Sequence, residues 1–107
     1  MRDRFEEVFC DITSWSRSTF PNGTVEGKVA HLVREVEEFR KAYAANDSSY
    51  CVEVADIFIL LMGLSDLAGM RAIDLLAHVA AKMAENRDRK WNPPDHEGVT
   101  EHVREPG

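Results

Sequence analysis

The sequence predicts an all-α fold, a bundle of four to five helices formed by a single domain over residues 1–107. Three observations carry this expectation. Apolar residues recur at three- and four-residue steps in four successive segments. No segment alternates with period two over more than a few residues. The breaks between segments are short and polar, as between neighbouring helices of a bundle. A chain of 107 residues can build a core, but a thin one.

In the first segment Phe5, Val8, Phe9, Ile12 and Trp15 share one helical face. Pro21, Asn22 and Gly23 mark the loop that follows. In the second, Val29, Leu32, Val33, Val36, Phe39 and Tyr43 form one apolar stripe that ends near Ala44. Asn46, Asp47, Ser48 and Ser49 make the next break and offer a capping residue to a third helix over about Tyr50 to Leu67. That helix is apolar almost all round between Val54 and Leu64, which predicts a central, buried position. Gly69 punctuates the chain, and Ile73, Leu76, Ala77, Ala80, Met83 and Ala84 stripe the fourth helix. The second, third and fourth helices are expected to be antiparallel neighbours. Asn92-Pro93-Pro94 stops any helix, and an irregular tail is expected from about residue 92.

Composition narrows the function. The formal charge is −6, with 19 acids against 13 Lys and Arg, which argues against a nucleic-acid-binding surface. The longest apolar run, Ile57 to Met62, is too short to span a bilayer. Cys10 and Cys51 are unpatterned, which excludes a disulfide scaffold or a Cys-rich zinc site. Both are expected to be inert small residues. With no secretory leader, the expected location is the cytoplasm, the host's if the chain is phage-encoded.

Four acids stand where solubility does not require them. Glu53 and Asp56 lie three residues apart on the most apolar helix, so they project from one face. A carboxylate in apolar surroundings is expensive unless it is paired or bound to a cation. Glu35 and Glu38 form a matching pair on one flank of the second helix, and His31 lies on that flank. Two helices joined by a short turn can therefore present four carboxylates to one cleft. Hard divalent cations relieve their repulsion, and oxygen ligands favour Mg²⁺ or Mn²⁺ over zinc. Mg²⁺ held this way takes remaining ligands from water and substrate phosphates, which suggests metal-assisted attack on phosphorus.

The fourth helix supplies a cationic counterpart. Lys82, Asn86 and Arg89, at steps of four and three, share a face that can bind phosphate oxygens and a sugar or base edge. Of the two tryptophans, Trp15 is the better candidate for stacking on a base and Trp91 for packing.

These residues resemble the all-α nucleoside triphosphate pyrophosphohydrolases of the MazG-like superfamily, most closely the small dATP/dGTP diphosphohydrolase branch, which also occurs in phages. The acid motif is Glu35-Val36-Glu37-Glu38 followed by Glu53-Val54-Ala55-Asp56. Trp15-Ser16-Arg17-Ser18-Thr19-Phe20 resembles the branch's W-s-x-x-T-F start, and His31-Leu32-Val33-Arg34-Glu35 its H-L-x-K-E. Lys82 to Trp91 fits K-x-x-x-N-x-x-R-x-W, and Gly98 to Val103 fits G-x-x-E-H-v. The K-x-x-x-R-R-x-P-H ending of the longer MazG proteins is lacking.

The resemblance implies a Mg²⁺-dependent enzyme, with Mn²⁺ as a possible substitute, that splits a deoxynucleoside triphosphate into monophosphate and pyrophosphate. It implies Glu35, Glu38, Glu53 and Asp56 as metal ligands. Glu35 or Glu38 then accepts a proton from water, while Lys82 and Arg89 neutralise the triphosphate in catalysis. Trp15, His31, Lys82, Asn86 and Arg89 form the substrate-binding set. Purines, dGTP or dATP, are the expected bases, and a homodimer or homotetramer the expected assembly. Two alternatives stand beside this reading. One is a non-catalytic helical module that senses a nucleotide or binds a partner, with its acids salt-bridged to Lys82 and Arg89. The other is the same chemistry on a pyrimidine or damaged nucleotide.

Overall fold

The computed structural model describes residues 3–104. It contains four helices: α1 (Arg4–Thr19), α2 (Val25–Ala44), α3 (Tyr50–Leu67) and α4 (Ala72–Asp88). Among the described residues there is no β-strand, and one isolated antiparallel bridge joins Trp91 to His102. The chain divides into two compact units, one ending at Leu75 and one beginning at Leu76.

The helix starts follow capping chemistry. Asp3 Oδ1 accepts from the Glu6 amide at 2.8 Å and opens α1. Thr24 Oγ1 accepts from the Gly27 amide at 3.0 Å and opens α2. Each such cap is worth about 1 kcal/mol. The expected cap of α3 is not made, because Ser49 is already helical (φ −66°, ψ −10°) and its hydroxyl makes no capping bond. Asp47 acts earlier instead, its Oδ1 accepting from the Ser49 amide at 2.9 Å. Beyond α3, Gly69 takes φ +91°, a left-handed turn that an L side chain rarely adopts.

In the first unit, α2 and α1 both pack on α3. An aromatic cluster closes the α2–α3 turn: the ring centroids of Tyr43 and Tyr50 are 5.5 Å apart and those of Phe39 and Tyr43 are 6.0 Å apart. Arg17 of α1 donates from Nε to Asp66 of α3 at 2.8 Å. The core is small. Phe9, Met62 and Ala72 are buried together, with Phe5, Ile12 and Leu75 packed around them.

Two expectations are corrected here. The third helix is not buried all round: Leu60, Met62, Gly63 and Ser65 are buried, but Val54, Phe58 and Leu61 are exposed. The second helix likewise leaves Val29, Val33 and Val36 exposed. One helix pair and one flanking helix cannot cover every apolar face. The start of the fourth helix contributes Ala72 and Leu75 to the first unit's core.

In the second unit the tail has no regular element, as expected, but it is ordered. It folds back so that the Asn92 amide donates to Glu101 O at 2.9 Å and the Val103 amide to Lys90 O at 2.8 Å. Asp95 Oδ1 accepts from the Glu97 and Val99 amides and holds the turn, where Gly98 takes φ +80°.

The thin core sets a test. Phe9 is 4% exposed, and Phe9→Ala is expected to lower stability by about 3–5 kcal/mol in urea unfolding. A change below about 1 kcal/mol would show that this cluster does not hold the first unit together.

Candidate metal centre

The acids converge because α2 and α3 run antiparallel in a register kept over two turns. A Cβ on Gly63 would lie 3.6 Å from Lys28 Cε, so these residues are neighbours across the pair. Seven residues along α2 from Lys28 is Glu35, and seven back along α3 from Gly63 is Asp56. Glu35, Glu53 and Asp56 each offer an oxygen, and these oxygens all lie within 4.8 Å of one another. Glu38 is outside this group and exposed, although its charge still acts on Glu53. The expected set of four ligands is thus a group of three with a fourth carboxylate beside it.

Mutual repulsion marks the group. The Glu53 carboxyl titrates above its ordinary range, first through a hydrogen bond with Glu35, then through burial and the charges of Glu35, Asp56 and Glu38. Among the described residues no Lys or Arg forms an ion pair with Glu35, Glu53 or Asp56. His31 Nε2 lies 3.4 Å from Glu35 Oε1. Hard oxygen donors lacking lysine or arginine partners fit a divalent cation.

A cavity of 180 Å³ opens beside these acids, lined by Glu35, Asp56, His31, Lys28, Ser16, Trp15 and Phe20 among others. The Trp15 ring meets Phe20 edge-on at 5.5 Å and is 52% exposed. Trp15 lies within α1, a full turn before its end, rather than at its terminus. The sequence reading missed Lys28, which is buried where α1, α2 and α3 meet. Its Nζ donates to Ser16 Oγ at 3.0 Å and lies 4.5 Å from the Phe20 ring centroid. The available signal was its spacing: Lys28, His31 and Glu35 follow an i, i+3, i+7 line on α2.

Lys82, Asn86 and Arg89 belong to the second unit. Lys82 Nζ donates to Glu85 at 3.3 Å, and Arg89, just past the end of α4, also pairs with Glu85. Both cations thus share one acidic partner within their own unit. Trp91, expected to pack, is exposed over nearly half its surface. Its Nε1 donates to Asn86 O at 3.1 Å and its ring meets His102 edge-on. Cys10 and Cys51 are free, and Cys51 is exposed. No helix is long and apolar enough to cross a membrane among the described residues.

A solved structure resembles this one closely: the cyanophage S-2L MazG-like pyrophosphohydrolase, bound to dGDP and three catalytic Mn²⁺ ions per active site. The two are 29% identical with a TM-score of 0.76, over 96% of this chain and all of that one. The all-α scaffold and its acid cluster define a divalent-metal nucleotide pyrophosphohydrolase of the MazG-like class. The sequence model of the dATP/dGTP pyrophosphohydrolase family matches residues 8–107, and the chain belongs to that family. It is 32% identical to the dATP/dGTP diphosphohydrolase of cyanophage S-2L, over 91% of this chain and 86% of that protein. It is 35% identical to a dATP/dGTP diphosphohydrolase of Salmonella phage PMBT28, over 86% of this chain but only 29% of the longer protein.

The raised Glu53 pKa fixes a sign. Between its unfolded and folded values, the native metal-free protein holds a proton that the unfolded chain releases. Stability therefore falls as pH rises through that window and stays lower above it. Glu53→Gln is expected to raise the metal-free melting temperature at pH 7, with the gain vanishing below the ordinary glutamate range. Saturating Mg²⁺ is expected to raise the wild-type melting temperature and to act less on the variant. A metal-free wild type at least as stable as Glu53→Gln at pH 7 would show that repulsion among these acids is not significant.

Proposed function

We propose that this chain hydrolyses a purine deoxynucleoside triphosphate, dGTP or dATP, to the monophosphate and pyrophosphate, using Mg²⁺ with Mn²⁺ as a substitute. The observation that carries this reading is the carboxylate group of Glu35, Glu53 and Asp56 beside a cavity with aromatic walls. Relatives named as dATP/dGTP diphosphohydrolases support the substrate class. The dGDP and Mn²⁺ of the S-2L enzyme support a nucleotide and a metal at one site. The oxygen-only donor set supports Mg²⁺ or Mn²⁺ over zinc.

In this reading Glu35, Glu53 and Asp56 hold the metal, and Glu38 completes or flanks the set. A bound divalent ion supplies an acidified water and a polarised phosphorus. Glu38 is the proton acceptor, since it stands near Glu53 without being drawn into the three-carboxylate group. The water oxygen bonds to the α-phosphorus, the bond to the bridging oxygen breaks, and pyrophosphate leaves with that electron pair. Trp15 and His31 line the space for the nucleoside. Lys82, Asn86 and Arg89 keep the roles their motif implies, the two cations neutralising phosphate oxygens as charge develops.

The active form in this reading is a homodimer or homotetramer. The exposed Val29, Val33 and Val36 of α2 and Val54, Phe58 and Leu61 of α3 support a second copy covering them. The place of action is the cytoplasm, where nucleoside triphosphates and Mg²⁺ are present.

The test is to incubate the protein with each dNTP and NTP separately, with Mg²⁺ or with chelator, and to quantify monophosphate and pyrophosphate. Equal amounts of both from dGTP or dATP, lost on chelation, are expected. Release of orthophosphate, or no turnover of any purine nucleotide, would overturn the reading. Glu38→Gln is expected to lower kcat by about 10²–10⁴ while Mg²⁺ still raises the melting temperature. Unchanged kcat would remove Glu38 from the proton-accepting role. Sedimentation at micromolar concentration is expected to give a dimer or larger, and a monomer would count against the oligomer.

A further inference from the structure

Lys28 is 9% exposed, yet among the described residues no carboxylate forms an ion pair with it. Buried lysines normally carry a counter-charge. An ammonium has three N–H donors and no acceptor. Here Ser16 Oγ takes one at 3.0 Å, and the Phe20 ring faces the group from 4.5 Å. Gly63 makes the arrangement possible, since a Cβ there would lie 3.3 Å from Ser16 Oγ and 3.7 Å from Lys28 Nζ. Three helices thus contribute to housing one cation that lacks a full set of acceptors.

The same residue lines three cavities, of 180, 250 and 90 Å³, each of which Phe20 also lines. Together they fall within the size range of small-molecule sites, roughly 300–1,000 Å³. The 180 Å³ cavity reaches Glu35 and Asp56. Along α2, seven residues separate Lys28 from Glu35, a rise of about 10 Å. That is too far for one phosphate to touch both, but it suits a nucleotide whose α-phosphate is at the acids and whose base lies beside Lys28. The aromatic neighbours Trp15 and Phe20 favour a base there over an inorganic anion.

We propose that Lys28 is a base-reading residue whose buried ammonium donates to the O6 and N7 edge of guanine and so favours dGTP over dATP. Guanine presents two acceptors on that edge, whereas adenine presents N7 and an amino group. The ammonium can serve both acceptors of guanine. Adenine's amino group sets a donor against a donor there. This assignment rests on the reading of the site as a nucleotide pyrophosphohydrolase.

The test measures kcat/KM for dGTP and dATP with Mg²⁺ in the wild type and in Lys28→Met, which keeps the length and apolar bulk of the side chain. The wild type is expected to prefer dGTP. Lys28→Met is expected to lose roughly ten- to hundredfold on dGTP, the weight of one or two hydrogen bonds from a charged donor, with dATP changed by less than about threefold. Equal losses on both substrates would mean a structural or phosphate-binding lysine and would overturn the proposal, as would an unchanged ratio.

If Lys28→Met does not fold, the unaltered protein gives the answer through its substrates. The 2-aminopurine deoxynucleoside triphosphate, which lacks O6, is expected to lose a similar factor relative to dGTP. dITP, which keeps O6 and N7, is expected to match dGTP. A 2-aminopurine substrate as good as dGTP overturns the proposal. A wild type that releases pyrophosphate from no nucleotide overturns the underlying reading and the proposal with it. A wild type that turns over dNTPs without the Lys28 signature overturns the proposal alone.

Discussion

The antiparallel register of α2 against α3 is the constraint on which the rest depends. It is marked where Gly63 leaves room for the Lys28 and Ser16 side chains, and where rings meet, at Phe39, Tyr43 and Tyr50. Between those points Glu35 is brought to Glu53 and Asp56. A slip of one residue would rotate each acid by about 100° around its helix and disperse the group. The repulsion that raises the Glu53 pKa is therefore imposed by packing rather than avoided by it. A fold that tolerates this has a use for a cation there.

The fold was legible in the sequence to the extent that periodicity reports it. The bounds of α3 and the end of α2 follow from their breaks and stripes, and both match the structure. The burial of α3 was not legible. An all-round apolar segment says that its faces need cover, not which cover this chain supplies, and Phe58 and Leu61 remain exposed. Ser49 shows a finer limit. A residue type suited to capping does not cap once its own backbone is helical.

The candidate site was legible where charge contradicts surroundings. Glu53 and Asp56 were visible because acids on an apolar helix need a reason. Glu35 was visible by its spacing to Glu38, but the exclusion of Glu38 from the tight group was not, because it depends on a fraction of a helical turn. Lys28 was hidden for the opposite reason. Lysine near the start of an amphipathic helix looks like solvent-facing charge, and its burial depends on Ser16, Phe20 and Gly63, which lie on other elements or in a loop.

Charge is sorted in this molecule by sequence distance. The surface cations pair mostly with near neighbours: Arg40 with Glu37, Arg71 with Asp74, Lys82 and Arg89 with Glu85. Arg17 with Asp66 is the long-range pair among them. Exposed pairs of this kind add little stability, but they occupy the local positive charge. Among the described residues, the carboxylates in no lysine or arginine ion pair include those on the α2–α3 register. Two helical turns away along the same face lies Lys28, the one buried cation among the described residues. A ligand entering this first unit meets a negative group that needs a metal at one end and a positive donor among aromatic rings at the other. A metal-bound triphosphate carrying a base with acceptor atoms satisfies both ends at once, while a metal-free anion satisfies only the cation and an apolar molecule satisfies neither.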